Sequence, residues 1–312
     1  MRPTYSYLFL FVTLFVASFA NKASANVDSV LYTNFTAKQQ CYNSSDGVIK
    51  FIDEGEGIPI VLLHGVPTSG WLYRKMIPKL SANGYRVIVP DMLGFGNSDS
   101  PTGKGLYSPQ NHARRLLELM EHLEISSWTQ VIHDAASLWT AEELRQNPSC
   151  INHLVLMNTV LNPNGVNWKN QVEIGLRAKL GLTMQRLGLK KGSFVTKFIE
   201  DNLVNTKLSQ SELDGYEEAV ISGKTEAIFA HYIHMFEMSV VEKNHLPEFN
   251  GPVAVIWGEQ DKGLKWAPQS SQIMSYFNIK QEDLHLLPTG HLVPEEKAAE
   301  AVQLIMNFVV SK

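Results

Sequence analysis

The sequence predicts an α/β fold, a mostly parallel sheet covered by helices on both faces and interrupted by one helical insertion. Short continuous apolar runs alternate with segments of helical periodicity, the pattern of strands buried on both faces. Residues 159–246 differ: they show helical patterns with Gly and Asn breaks, as at Gly181, Gly188 and Gly192, and no comparable strand run. The composition supports a folded chain. Its 312 residues are 44% hydrophobic and 19% charged, with 21 Gly and 14 Pro, which excludes disordered, collagenous and coiled-coil chains. A net charge of -4 with no basic stretch argues against a nucleic-acid partner.

Residues 1–25 stand apart. Arg2 gives a positive start, 5–19 are apolar and uncharged, and Ala23-Ser24-Ala25 is a small-x-small site. This is the three-part form of a secretory signal peptide. The apolar run, about 15 residues, is short for a membrane span. Cleavage near Ala25 and export, periplasmic or secreted, are therefore expected, with no stable membrane span afterwards. In an oxidising compartment Cys41 and Cys150 would either bridge or remain two free thiols, and the sequence leaves both open.

In chain order, 47–53 reads as a strand and Gly55-Glu56-Gly57 as a turn. Residues 59–63 (PIVLL) and 85–89 (YRVIV) are buried-type strands, followed by His64-Gly65 and Pro90-Asp91. Residues 108–123 have helical periodicity, 130–133 form a strand, and 137–146 form a helix ending before Pro148. Strands follow at 153–157 (HLVLM), 253–257 (VAVIW) and 284–287 (LHLL), and 295–310 is the last helix. The sheet domain is thus expected in 26–158 and 247–312, with 159–246 as a helical cap, or lid, inserted between two strands. There is no internal repeat.

Open α/β sheets carry their chemistry at the carboxyl ends of strands. The polar residues there are His64, Asp91, His133, Asp134, Asn158, Asp261 and His291. Asp134 follows a strand and opens a helix, with Ala135, Ala136 and Ser137 behind it, the setting of a nucleophile elbow. The glycines usual two positions either side are replaced by Ile132 and Ala136. Alone, Asp134 could equally be a carboxylate capping its helix. The spacing of Asp261 and His291, in the order nucleophile, acid, His, favours catalysis. A carboxylate attacks an electrophilic carbon to form an ester. His291 would activate water to hydrolyse it, Asp261 would orient the imidazole, and the N–H groups of Val66 and Ala135 would form the oxyanion hole.

These segments resemble the Asp-nucleophile branch of the α/β-hydrolase fold, the haloalkane dehalogenases and epoxide hydrolases. The resemblance rests on His64-Gly65-Val66-Pro67-Thr68, the WLYRKMIP stretch at 71–78, the run from Pro90 to Asp99 with its GxGxSD pattern, Val131-Ile132-His133-Asp134, Asp261-Lys262 and Gly290-His291. It implies an α/β-hydrolase fold with an inserted cap, and hydrolysis through an Asp-alkyl ester. The WLYRKMIP stretch is closer to the dehalogenases.

Two positions depart from that pattern. Dehalogenases of this type place Trp after the nucleophile and Asn or Glu in the HGxP motif, both contacting the halide. Here they are Ala135 and Val66, with no side-chain donor. Trp168 in the cap is a candidate replacement donor. Epoxide hydrolases need instead an acid for the opening oxygen. The segment Phe229-Ala230-His231-Tyr232-Ile233-His234 resembles their tyrosine-bearing helix, so Tyr232 is the candidate acid, with His231, His234 and Tyr216 as partners against the substrate. The ten histidines show no metal-ligand spacing and there is no phosphate loop, so no metal or cofactor is expected. The expected partners are a small apolar molecule and water. An epoxide hydrolase-like enzyme is the first expectation. A haloalkane dehalogenase-like hydrolase and a non-catalytic ligand-binding homologue are the alternatives.

Overall fold

The computed structural model describes residues 29–160, 193–221, 224, 227–230, 247 and 249–312. The expected leader lies outside them. The strands are β1 (Gln40–Ser44), β2 (Gly47–Glu54), β3 (Ile58–Leu63), β4 (Tyr85–Asp91), β5 (Trp128–Asp134), β6 (Ile151–Thr159), β7 (Val253–Gly258) and β8 (Leu284–Leu287). They form one sheet in the order β1-β2-β4-β3-β5-β6-β7-β8. β1 pairs antiparallel with β2, and β2 with β4; all the other pairings are parallel.

The apolar runs become the centre of this sheet because they can be buried on both faces. Ile60, Val61, Leu62 and Leu63 of β3 and Val131, Ile132, Leu154, Val155 and Leu156 of β5 and β6 are fully buried. Each such side chain contributes about 2 kcal/mol. The helices are α1 (Ser29–Ala37), α2 (Ile77–Ser81), α3 (Pro109–His122), α4 (Ala136–Gln146), α5 (Ser193–Asp201), α6 (Gln210–Ile221), α7 (Ser270–Tyr276), α8 (Val293–Glu296) and α9 (Ala298–Ser311). The step from β3 to β4 runs one way across the sheet and the step from β5 to β6 runs the other. Right-handed crossovers then put α2 and α4 on opposite faces. α3 packs beside α4, and α9 beside α2. α3 starts where Ser108 accepts a hydrogen bond from the Asn111 N–H (3.3 Å) and Pro109 occupies the first turn. It buries Ala113, Leu116, Leu119 and Met120 along one stripe.

Three features differ from the sequence expectation. α1 has no pronounced apolar periodicity of its own. It packs on α6, and Tyr32 and Phe35 meet Trp71 edge-on, each at 5.2 Å. β1 is a polar edge strand, largely exposed, that pairs with β2 across a Ser45-Asp46 turn, and β2 opens on Gly47 at φ +148°. The last helix is two helices, because Lys297 leaves helical geometry at φ -139°, ψ 38°. α5 and α6 lie between β6 and β7 in the chain. Both cysteines are free thiols, Cys41 exposed on β1 and Cys150 buried.

One core carboxyl sets a pH dependence. Glu143 of α4 is fully buried against β5; Gln130 donates to its Oε2 at 2.7 Å, and its Oε1 has no hydrogen-bond partner among the described residues. Burial pushes its pKa up to about 8, against the Gln130 hydrogen bond. Between about 4.5, where the unfolded chain loses this proton, and about 8, stability therefore falls as pH rises. Glu143→Gln removes that slope. Thermal melts should show the variant level with the parent near pH 5 and more stable at pH 8; equal melting points at both pH values would refute a buried neutral carboxyl.

Candidate active site

The strand order reverses between β3 and β5, so the loops after these two strands part to opposite faces and leave a crevice at their carboxyl ends. Asp134 closes β5 at this point with φ +52°, after a register shift against β6 between His133 and Asp134. A non-glycine residue in the left-handed region marks a strained turn held by its surroundings. Its carbonyl accepts from the Val160 N–H (3.0 Å) and the Thr159 hydroxyl (2.6 Å). Its side chain enters the crevice directly over Gly65. A Cβ there would stand 2.3 Å from the Asp134 Cβ, so only glycine fits. The next residue after Gly65 supplies a donor: the Val66 N–H lies 2.8 Å from Asp134 Oδ1.

The other oxygen of Asp134, Oδ2, faces His291 Nε2 at 3.6 Å, an ion-pair distance too long for a hydrogen bond. On the far side of the ring, Nδ1–H donates to Asp261 Oδ2 at 2.7 Å, which fixes the tautomer. Asp261 is itself over-determined. Its Oδ1 accepts from the N–H groups of Gly263 (2.8 Å) and Leu264 (2.9 Å), and its Oδ2 from Asn158 Nδ2 (2.7 Å). Asn158 ends β6 with φ +36° and ties back to β7, its Oδ1 accepting from the Gly258 N–H at 2.8 Å. It therefore holds the acid after β7 in place.

The electrostatics follow from that geometry. Burial by itself would lower the His291 pKa, but the charges of Asp261 and Asp134 and the hydrogen bond to Asp261 outweigh it and raise the imidazole well above its usual range. Burial works against Asp261, yet the His291 charge, its hydrogen bond and the Leu264 and Asn158 donors hold the carboxyl well below its usual value. Asp134 is lowered in the same way: burial opposes it, and His291 and the Val66 N–H prevail. Of the three, Asp134 is the most accessible, with 17% of its side chain exposed against 6% for His291 and 1% for Asp261.

The neighbouring polar residues have structural partners. His133 lies against His291 with ring centres 4.6 Å apart and planes tilted by 51°, and its Nε2–H donates to the His291 carbonyl at 3.0 Å. Burial and the His291 charge push it down to about 4, so it is neutral. His64 is also held at about 4 by burial, and its Nε2 accepts from the Met92 N–H at 3.1 Å. Asp91 pins the loop after β4 and the start of the 71–78 stretch, accepting from the N–H groups of Asn97 and Gly70, each at 2.8 Å.

Around the carboxylate, both Val66 and Ala135 are buried, and neither brings a side-chain donor. Tyr216, expected against the substrate, instead gives its hydroxyl to Glu295. It belongs to a largely buried ionic cluster joining α6 to the sheet domain. Arg74 pairs with Glu295 and with Glu212 (2.8 Å), Lys75 reaches both glutamates at 2.9 Å, and the Arg74 guanidinium lies 4.4 Å over Trp71. A single buried carboxylate attracts Arg, Lys and the phenol together, and no local pattern in the sequence signals it. Trp168, His231, Tyr232 and His234 lie outside the described residues. Among the described residues no group of acidic, His and Cys side chains is arranged to hold a metal.

The alpha/beta hydrolase fold family model matches residues 58–298. The chain is an α/β-hydrolase. A haloalkane dehalogenase of Psychrobacter cryohalolentis is 37% identical over 84% of the chain and 87% of its own length. A haloalkane dehalogenase of Mycobacterium marinum is 42% identical over a shorter stretch, 36% of this chain, and the match spans 38% of that protein's length. Among solved structures, a variant of an epoxide hydrolase from Bacillus megaterium aligns with TM-score 0.67 at 21% identity, covering 87% of this α/β-hydrolase and all of its own chain. At that identity it speaks for the fold alone.

Two substitutions separate site from scaffold. Tyr216→Phe removes a donor from a buried carboxylate and should cost about 2 kcal/mol in urea unfolding, with KM unchanged; a raised KM would return Tyr216 to the substrate. Gly65→Ala forces its methyl into Asp134 and should remove reaction at that carboxylate while the fold, read by circular dichroism, survives.

Proposed function

We propose that this α/β-hydrolase opens a small, mostly apolar epoxide through a covalent ester on Asp134. The observation that carries the reading is the unequal setting of the two carboxylate oxygens. Oδ1 rests on the Val66 N–H, and Oδ2 faces His291, whose ring is backed by Asp261. Oδ2 attacks the epoxide carbon, the carbon–oxygen bond of the ring breaks, and the leaving oxygen takes a proton from an acid, for which Tyr232 is the candidate. The ester carbonyl, now Oδ1, remains on Val66 N–H with Ala135 N–H as its partner in the oxyanion hole. His291 Nε2 then removes a proton from water, whose oxygen attacks the ester carbonyl carbon. The acyl–oxygen bond breaks, the imidazolium gives its proton to the departing alkoxide oxygen, the new carboxyl returns its proton to the phenolate left by the first step, and the diol leaves with the Asp134 carboxylate and the acid restored. No cofactor enters these steps.

Alkylation also prepares the second step. It neutralises Asp134, and so removes one of the two carboxylates that raise the His291 pKa. The imidazole holds its proton less tightly when it is required as a base.

An epoxide is preferred over an alkyl halide because Val66 and Ala135 offer no side-chain donor to a departing halide, and a lost donor at a developing anion costs roughly 3 kcal/mol. The alkyl halide is the second reading, favoured by the 37% identity with the Psychrobacter dehalogenase. The leader-like residues 1–25 support a further part of the proposal, that the enzyme acts after export.

Matched terminal epoxides and bromoalkanes, assayed for diol and for halide, decide between the two. Diol without halide release is expected, and halide without diol establishes the second reading. Asp134→Asn should lower turnover by at least ~10³-fold and lower the His291 pKa followed by NMR. His291→Gln should accumulate an adduct on the Asp134 peptide, read by mass spectrometry. Full turnover by Asp134→Asn would sink the covalent mechanism; no turnover and no adduct with either substrate in the parent would leave a non-catalytic ligand pocket to account for the site.

A further inference from the structure

We propose that Glu296 is a positioning residue for His291: its carboxylate clasps the loop that carries the imidazole to the chain segment that joins α5 to α6. The proposal rests on the two-step reading above. Glu296 ends α8, just beyond His291. Its Oε1 accepts from the Gly290 N–H at 2.7 Å, and its Oε2 accepts from the N–H groups of Val204 (3.1 Å) and Asn205 (2.7 Å). One carboxylate thus holds three backbone donors from two segments about 90 residues apart in the chain. Charge-assisted bonds of this kind are roughly twice as strong as neutral ones.

The same two segments are stitched directly. The His291 N–H donates to the Asn202 carbonyl at 3.1 Å, and the Asn205 amide donates to the Pro288 carbonyl at 2.6 Å. They are so close that a Cβ on Gly290 would stand 2.2 Å from the Asn202 carbonyl oxygen. His291 is therefore bracketed on every side. Its ring is held by Asp261, its carbonyl by His133 and its N–H by Asn202, and the residue before it is held by Glu296. Glu296 is the member of this set whose one side chain accepts from the backbone of both segments. The adjacent Glu295 points elsewhere, to Arg74, Lys75 and Tyr216. The carboxylate of Glu296 touches neither Asp134 nor the His291 ring, and acts through the backbone.

The consequence is specific to one step. Asp134 forms the ester without His291, whereas water attack needs the imidazole in place. A displacement of about 1 Å in a positioned group costs on the order of 10²-fold in rate. Glu296→Ala should therefore slow ester hydrolysis by roughly 10- to 100-fold and leave ester formation close to that of the parent. A covalent adduct should then accumulate on Asp134 during turnover. Glu296→Gln keeps one carbonyl oxygen for one of the two segments and should lie between parent and Ala. A purely structural role would lower both steps together.

The test uses the full chain with 1,2-epoxyhexane and 1-bromohexane as probes, mass spectrometry of the Asp134 peptide, and amide hydrogen exchange at Gly290, Val204 and Asn205, with His291→Gln alongside. Adduct in both variants, with faster exchange at those amides in Glu296→Ala, supports the clasp. Adduct in His291→Gln but not in Glu296→Ala overturns it while the proposed function stands. If neither probe gives adduct in either variant, the proposed function has failed, and exchange alone decides: unchanged protection in Glu296→Ala overturns the clasp.

Discussion

His291 lies between two carboxylates, 2.7 Å from Asp261 and 3.6 Å from Asp134, and each of these three groups reaches its place from the end of a different strand. Burial of carboxylates is costly unless donors meet their lone pairs. Here they do. Asp261 has Asn158 and two backbone N–H groups, Asp134 has Val66, and the imidazole stands between the two carboxylates. The structure around the crevice follows from meeting that demand. Asp134 and Asn158 take positive φ, and Gly65 gives up its side chain so that the carboxylate can pass over it.

A second set of charges ties the helices between β6 and β7 to the sheet domain, and it starts from the same short helix after His291. Glu295 goes into the cluster with Arg74, Lys75 and Tyr216, which places α6 against Trp71. Glu296 goes to Gly290 and the 204–205 backbone. α1 also meets Trp71, through Tyr32 and Phe35. α6 and the segment before it are therefore linked to the loop of His291, which gives the proposed clasp its physical basis.

Much of the sheet could be read locally. PIVLL, YRVIV, HLVLM and VAVIW are long enough and apolar enough to admit few other uses, and each became a strand, extended by one or more residues at its ends. β1 escaped because an edge strand needs no apolar face and its hydrogen bonds come from β2. α1 escaped because its stability comes from Trp71 and α6 rather than from its own periodicity. The break at Lys297 was invisible for a related reason: α8 is held by Glu295 and Glu296 through partners elsewhere in the fold. Tyr216 looked like a substrate residue by its position in the insertion, yet its phenol is engaged by a glutamate 79 residues away.

By itself the sequence determined the strand-helix alternation, the carboxylate at a strand-to-helix turn, and the order of Asp134, Asp261 and His291, because these depend on residue type and near neighbours. It also determined that positions 66 and 135 carry no polar side chain. Only the tertiary structure decided which acid meets the imidazole, which carboxylate oxygen faces it, and what Asn158, Glu295 and Glu296 do. Those outcomes depend on distances of a few ångströms between residues far apart in the chain. Identical side chains in Pro294-Glu295-Glu296 acquire different roles solely from the partners that the fold brings to each.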